Sequence, residues 1–156
     1  MSKFWKLVED ICSKDKRYKP DAYEFVLQGL SFTQNKFKRQ APYNAKHFTA
    51  EHVSGRELAC GLRDFAINQY GALARSVLSH WGINQTQDFG NIVFNMIEKK
   101  LLSRTEEDCL ADFNVVYDFN AAFANVLADS VAEGLRISRK AMVCLPIGKA
   151  IKRGKA

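Results

Sequence analysis

The sequence predicts an all-α or α-dominant fold, a small helical domain with a possible winged-helix-like helix-turn-helix plus short β-hairpin. Three observations predict it. Apolar residues recur every three or four positions through most of the chain. Helix start signals precede those stripes, the clearest of them at Ser54. Hydrophobic residues make up 47% and charged residues 26% of the 156, the balance of a packed chain rather than a disordered one. That length fits one domain of ordinary size with an appendage. The expected division is a helical core over 1–119, with the winged-helix-like segment at 54–119, and a C-terminal helix and basic tail over 120–156.

The elements follow in order. Phe4, Leu7, Val8 and Ile11 have helical spacing, with Ser2 as N-cap. Lys14 to Lys19 is a polar break. Pro20 suits a first helical position, and Tyr23, Val26, Leu27 and Leu30 make the next stripe. From Lys36 to Val53 no period survives, and Pro42 and Asn44 suggest a loop. Ser54-Gly55-Arg56-Glu57 then reads as a capping box opening a helix with Leu58, Leu62, Phe65 and Ala66 inward. Gly61 shares that face; a glycine there weakens a helix by about 1 kcal/mol, so a closely packed neighbour is its expected reason. Gly71 separates this helix from a shorter one carrying Ala74, Val77, Leu78 and Trp81, which Gly82 ends. Thr86 is read as the cap of a fifth helix with Phe89, Ile92, Val93, Met96 and Ile97 on one face. Beyond Leu101-Leu102, the residues Thr105 to Asp108 resemble a short helical turn. Val115 to Tyr117 with Phe119 suggest a strand. Asn120 would cap a last helix bearing Phe123, Val126, Leu127, Val131 and Leu135.

Charge is unevenly spread. The net charge of +6 divides into +5 over 1–50, −4 over 51–119 and +5 over 120–156. An acidic middle between basic flanks directs any polyanion to the flanks. Cys12, Cys60, Cys109 and Cys144 form no CxxC pair and no dense framework, which fits a reducing compartment with free thiols. No apolar run approaches the roughly 20 residues that span a bilayer, and the opening Met1 to Lys6 has no apolar leader. A cytoplasmic location is expected.

Chemistry-bearing signatures are few. His47, His52, His80 and Cys60 are the candidate metal ligands, but His47 and His52 are five apart, not the four that place two ligands on one helix face. No metal and no cofactor are expected. His52 with Ser54 has the residue types of a base and a nucleophile, yet no GxSxG turn is present and Ser54 is better used as a cap. The pair is retained as a candidate anion contact at a helix N-terminus. Glu106, Glu107 and Asp108, with Asp112 a turn later, read as a solvated first turn rather than paired acid–base groups. No phosphate-binding glycine loop occurs, and no enzymatic activity is expected.

A longer pattern carries a resemblance. It comprises His52-Val53-Ser54-Gly55, Glu57-Leu58, Gly61-Leu62-Arg63, Ala66, Tyr70-Gly71, Ala74, Val77-Leu78, Trp81-Gly82, Asp88-Phe89-Gly90, Ile92-Val93-Phe94 and Leu101-Leu102. Asp112-Phe113 and Tyr117-Asp118-Phe119 follow, and Asp15-Lys16-Arg17-Tyr18 with Ala22-Tyr23-Glu24-Phe25-Val26 precede. Over roughly residues 10–123 the chain resembles the short uncharacterised proteins of the Planctomycetes–Verrucomicrobia bacterial group. The resemblance implies no activity, because that family has no assigned biochemistry. The chain departs from the pattern by its extension from about Ala124 onward.

Helices on either side of the turn at Ile83 to Gln85 and a returning strand would make a winged helix, whose second helix, Thr86 to Lys100, enters the DNA major groove. Gln87, Asp88, Asn91, Asn95, Glu98 and Lys99 would then be exposed. Gln and Asn can read adenine edges, but Asp88 and Glu98 repel phosphate. The tail offers Arg136, Arg139, Lys140, Lys149, Lys152, Arg153 and Lys155 as contacts for nucleic acid or another anion. Its apolar run Ala141 to Leu145 suits either an anionic membrane surface or packing on its own domain. The expected function is a non-enzymatic protein-binding or scaffold module. The alternative is nucleic-acid binding through the winged-helix-like core and basic flanks, and an uncharacterised enzyme ranks third.

Overall fold

Ser2 opens the first helix by accepting a hydrogen bond from Trp5 N at 3.5 Å. A computed structural model describes residues 2–40, 53–104 and 106–124. Among them, six α-helices and two 3-10 turns form an all-α fold with no strand. The helices are α1 Lys3–Lys14, α2 Pro20–Gln40, α3 Gly55–Tyr70, α4 Ala74–His80, α5 Thr86–Glu98 and α6 Phe119–Phe123. The 3-10 turns are Gly71–Leu73 and Leu110–Phe113.

The sequence stripes are the buried faces. Val8 and Ile11 of α1, Tyr23 and Val26 of α2, Leu58, Leu62, Phe65 and Ala66 of α3, and Phe89, Ile92 and Met96 of α5 are all in the core. α2 and α3 cross where both lack side chains. A methyl built on Gly61 would lie 1.9 Å from Thr33 Oγ1, and one on Gly29 would lie 2.3 Å from Leu62 Cδ2. The weakened helix at Gly61 is thus offset by close approach of α2. Phe25 packs on Phe65 at 5.2 Å and on Trp81 at 5.4 Å. In a second aromatic cluster, Phe119 of α6 packs on Phe89 at 5.6 Å and on Phe123 at 5.4 Å. The core therefore continues through α6 to Phe123.

α4 ends in a Schellman turn. Gly82 N donates to Ser79 O at 3.0 Å and Ile83 N to Leu78 O at 2.8 Å, with Gly82 at φ 92. Glycine is needed there twice over, because a Cβ would also meet the Arg17 carbonyl at 2.2 Å. α5 ends in the same motif, through Lys100 N to Ile97 O and Leu101 N to Met96 O, both 2.9 Å, but with Lys100 at φ 58 in the glycine position.

Four expectations are corrected. α2 runs to Gln40, so residues 36–40 are helix and not loop; Lys36 pairs with Asp64 at 2.8 Å and pins that last part of α2 against α3. Pro42, Asn44 and the rest of 41–52 lie outside the described residues. Thr86 is the first residue of α5, not its cap, and Gln85 holds the cap position. The buried Thr86 hydroxyl donates to Phe113 O at 2.6 Å and accepts from Val116 N at 3.1 Å. The expected wing is not formed, since residues 101–119 contain no strand among those described. Asp112 accepts from Cys109 N at 3.0 Å and closes a 3-10 turn, and Thr86 takes up the Val116 N–H that a strand would use. Finally, Asp118, not Asn120, caps α6 by accepting from Ala121 N at 2.8 Å. Val126, Leu127, Val131 and Leu135 lie outside the described residues.

Candidate functional site

The polar face of α5 is turned inward. Tyr18, buried in the short connection between α1 and α2, donates to Asp88 Oδ1 at 2.6 Å. Asn91 Nδ2 donates to the Tyr18 hydroxyl at 2.9 Å. One turn on, Asn95 Nδ2 donates to Asp15 Oδ2 at 2.9 Å and to the Tyr23 hydroxyl at 3.1 Å. Lys99 pairs with Asp10 of α1. Asp88 also accepts from the amides of Asn84 and Gln85, so it caps its own helix as well. Gln87, Asp88, Asn91, Asn95 and Lys99 are half-buried, and only Glu98 of the expected reading face is exposed. The expectation of a free recognition helix is corrected. The polar break between α1 and α2, which carries no helical period, supplies Asp15 and Tyr18 to them, and the two helices supply Asp10 and Tyr23.

This seam also sets ionisation. The Arg17 guanidinium, hydrogen-bonded to Asp15 at 2.7 Å, holds the Asp15 carboxyl well below the usual carboxylate range. Burial pushes the Tyr23 phenol up to about 12 and the Tyr18 phenol higher still. Tyr117 is raised by burial too, and donates to Ala59 O at 2.7 Å. Each of these groups has a partner within the fold.

Among the described residues there is a groove of about 260 Å³ bounded by α2, α3, α5 and the chain from Leu101 to Phe113. Leu30, Leu58, Val93, Ile97, Leu102 and Phe113 give it an apolar lining. Gln34, Ser103, Arg104, Asp108 and Asp112 supply its polar groups. The Arg104 guanidinium lies over the Phe94 ring at 5.5 Å and donates to the Asp108 carbonyl at 3.4 Å, so its stem and charge form part of the wall. Cys109 also lines the groove, and its thiol is free and exposed. Such a lining suits an apolar guest steered by polar groups; among the described residues that line it there is no histidine.

The residues singled out from sequence are distributed differently. Ser54 N donates to Glu57 Oε2 at 3.0 Å and Ser54 Oγ accepts from Glu57 N at 3.2 Å, the full capping box. The hydroxyl is thereby committed to α3. His47, His52, Arg136, Arg139, Lys140, Lys149, Lys152, Arg153 and Lys155 lie outside the described residues. His80 ends α4 with Nε2 3.2 Å from Lys19 Nζ. Glu106 and Glu107 are exposed, and Asp112 serves the 110–113 turn. Cys12 and Cys109 are free thiols, whereas Cys60 is disulfide-bonded, so the free-thiol expectation does not extend to all four cysteines. Among the described residues, no three His, Cys, Asp or Glu side chains are grouped to hold a metal ion. No helix among them is long and apolar enough to cross a membrane.

Sequence reasoning missed the groove. Its one legible signal was Leu101-Leu102, an apolar pair placed after the end of α5 where the helical period no longer requires one. No family model matches the chain, and no curated protein or solved structure shows significant similarity to it.

Proposed function

We propose that this chain is a non-enzymatic protein-binding or scaffold module that receives an apolar segment of a partner protein in the groove between α2, α3 and α5. The observation that carries the reading is the groove itself, a concave apolar lining with a polar rim. The inward-turned polar face of α5 supports it further. Asp88, Asn91 and Asn95 are occupied by Tyr18, Asp15 and Tyr23, so base readout by that helix would require breaking those bonds. The resemblance to the Planctomycetes–Verrucomicrobia family belongs to the same proposal and adds no activity to it.

The test compares two full-length baits, the unaltered chain and Leu102→Glu, in nuclease-treated lysate of the source cells. A stoichiometric partner retained by the first and lost by the second is the expected result. Identical profiles, or a partnerless monomer, would end the reading. Binding to duplex DNA that weakens steeply with salt, with a slope flattened by deleting 136–156, would put nucleic-acid binding in its place.

A further inference from the structure

We infer that the segment taken by the groove is an apolar peptide flanked by lysine or arginine; this rests on the protein-docking reading and names the chemistry of its partner. Two observations point to it. The first is size and lining. A volume of about 260 Å³ falls just below the range of roughly 300–1,000 Å³ typical of small-molecule sites, and the walls are set by side chains of four separate segments. That suits a few apolar side chains entering from a chain laid across the opening better than an enclosed ligand.

The second is charge. The stretch 101–113, part of which lines one side of the groove, carries Glu106, Glu107, Asp108 and Asp112 against Arg104 alone. Asp108 and Asp112 line the groove, and Glu106 and Glu107 are exposed immediately beside Asp108. Arg104, itself exposed, lies over the Phe94 ring and donates to the Asp108 carbonyl, and the four acids outnumber it. The rim is therefore negative, and it favours cationic flanks while repelling acidic ones.

Cys109 is a built-in reporter, because an occupant of the groove covers its thiol. The probes are two fluorescein-labelled nine-residue peptides with the same leucine positions, one flanked by lysines and one by glutamates, added to the full-length protein. Anisotropy reads binding, and mass spectrometry reads maleimide modification of Cys109. The lysine peptide is expected to bind about tenfold tighter than the glutamate peptide and to slow Cys109 modification several-fold. Glu106→Lys with Glu107→Lys, both at exposed positions, should erase that preference with no change in Tm. Leu102→Glu should remove binding of both peptides.

Equal binding of the two peptides, an unprotected Cys109, or an unchanged preference in the double lysine variant would overturn the inference. Lysine-peptide binding that appears only after Met142→Asp with Leu145→Asp would overturn it in favour of the chain's own tail as occupant. Self-association abolished by Leu102→Glu, with no peptide effect, would overturn it in favour of a second copy. A partner captured in a Leu102-dependent way alongside indifferent peptides removes this inference alone; failed capture removes the docking reading beneath it.

Discussion

A single hydroxyl decides how the chain after α5 is held. Thr86 Oγ1 both donates to Phe113 O and accepts from Val116 N, across 27 and 30 residues. Thr86→Val keeps the shape of the side chain and strands both backbone groups in the interior. Leaving a buried polar group unsatisfied costs about 1–3 kcal/mol, so this variant should lose about 2–3 kcal/mol in urea unfolding. A loss under 0.5 kcal/mol would mean that water reaches Phe113 O and Val116 N. Thr86 also shows why a residue type alone misleads. Threonine before a helical stripe is a sound cap signal, yet its hydroxyl found a better use in a tertiary contact that no local pattern encodes.

At the scale of elements, caps and stripes were legible and ends were not. The Ser54–Glu57 box is a local chemical fact, formed by residues three apart, and the sequence is enough to infer it. Ser54→Ala should cost about 1 kcal/mol of stability, and after Glu57→Ala it should cost distinctly less, since the two side chains satisfy one another's amides. Additive losses in that double-mutant cycle would show the two caps act independently. The end of α2 was misjudged because Lys36, polar and without periodic neighbours, gives no inward signal; Asp64 on α3 gives it a partner. Val115 to Tyr117 were misread as a strand because β-branched and aromatic residues suit an extended chain. A strand also needs a neighbour to pair with, and here the Val116 amide pairs with a threonine hydroxyl instead.

For the molecule as a whole, the buried phenols set the response to alkali. Tyr23 titrates near 12, against an ordinary value of about 10, because burial disfavours its anion. A folded-state pKa above the unfolded value gives stability that is complete below pH about 10 and is lost as pH rises through about 12. Tyr18 and Tyr117, shifted the same way, steepen that loss. Tyr117→Phe should therefore unfold less steeply over that alkaline range, while losing about 1 kcal/mol at neutral pH for the missing bond to Ala59 O. An unchanged alkaline midpoint slope would argue that Tyr117 is solvated. Asp15 works in the opposite direction. Its lowered pKa adds stability above pH about 4 that disappears as pH falls through the folded-state value.

What the amino-acid pattern determined alone is whatever depends on residues within a few positions of each other. That covers the helical class, the buried stripes of α1 to α5, the capping box at Ser54 and the glycine stop at Gly82. Which polar groups meet is settled by packing between distant segments. Asp88, Asn91 and Asn95 read as a solvent-facing row because polar residues at helical spacing usually are one. They are instead satisfied by Tyr18, Asp15 and Tyr23, some 70 to 80 residues away in the chain. The groove arises likewise, from α2, α3 and α5 converging with the Leu101–Phe113 stretch. Periodicity reports which side of a helix is apolar, but a hydrogen bond or a concavity between distant segments is fixed only when packing brings them together.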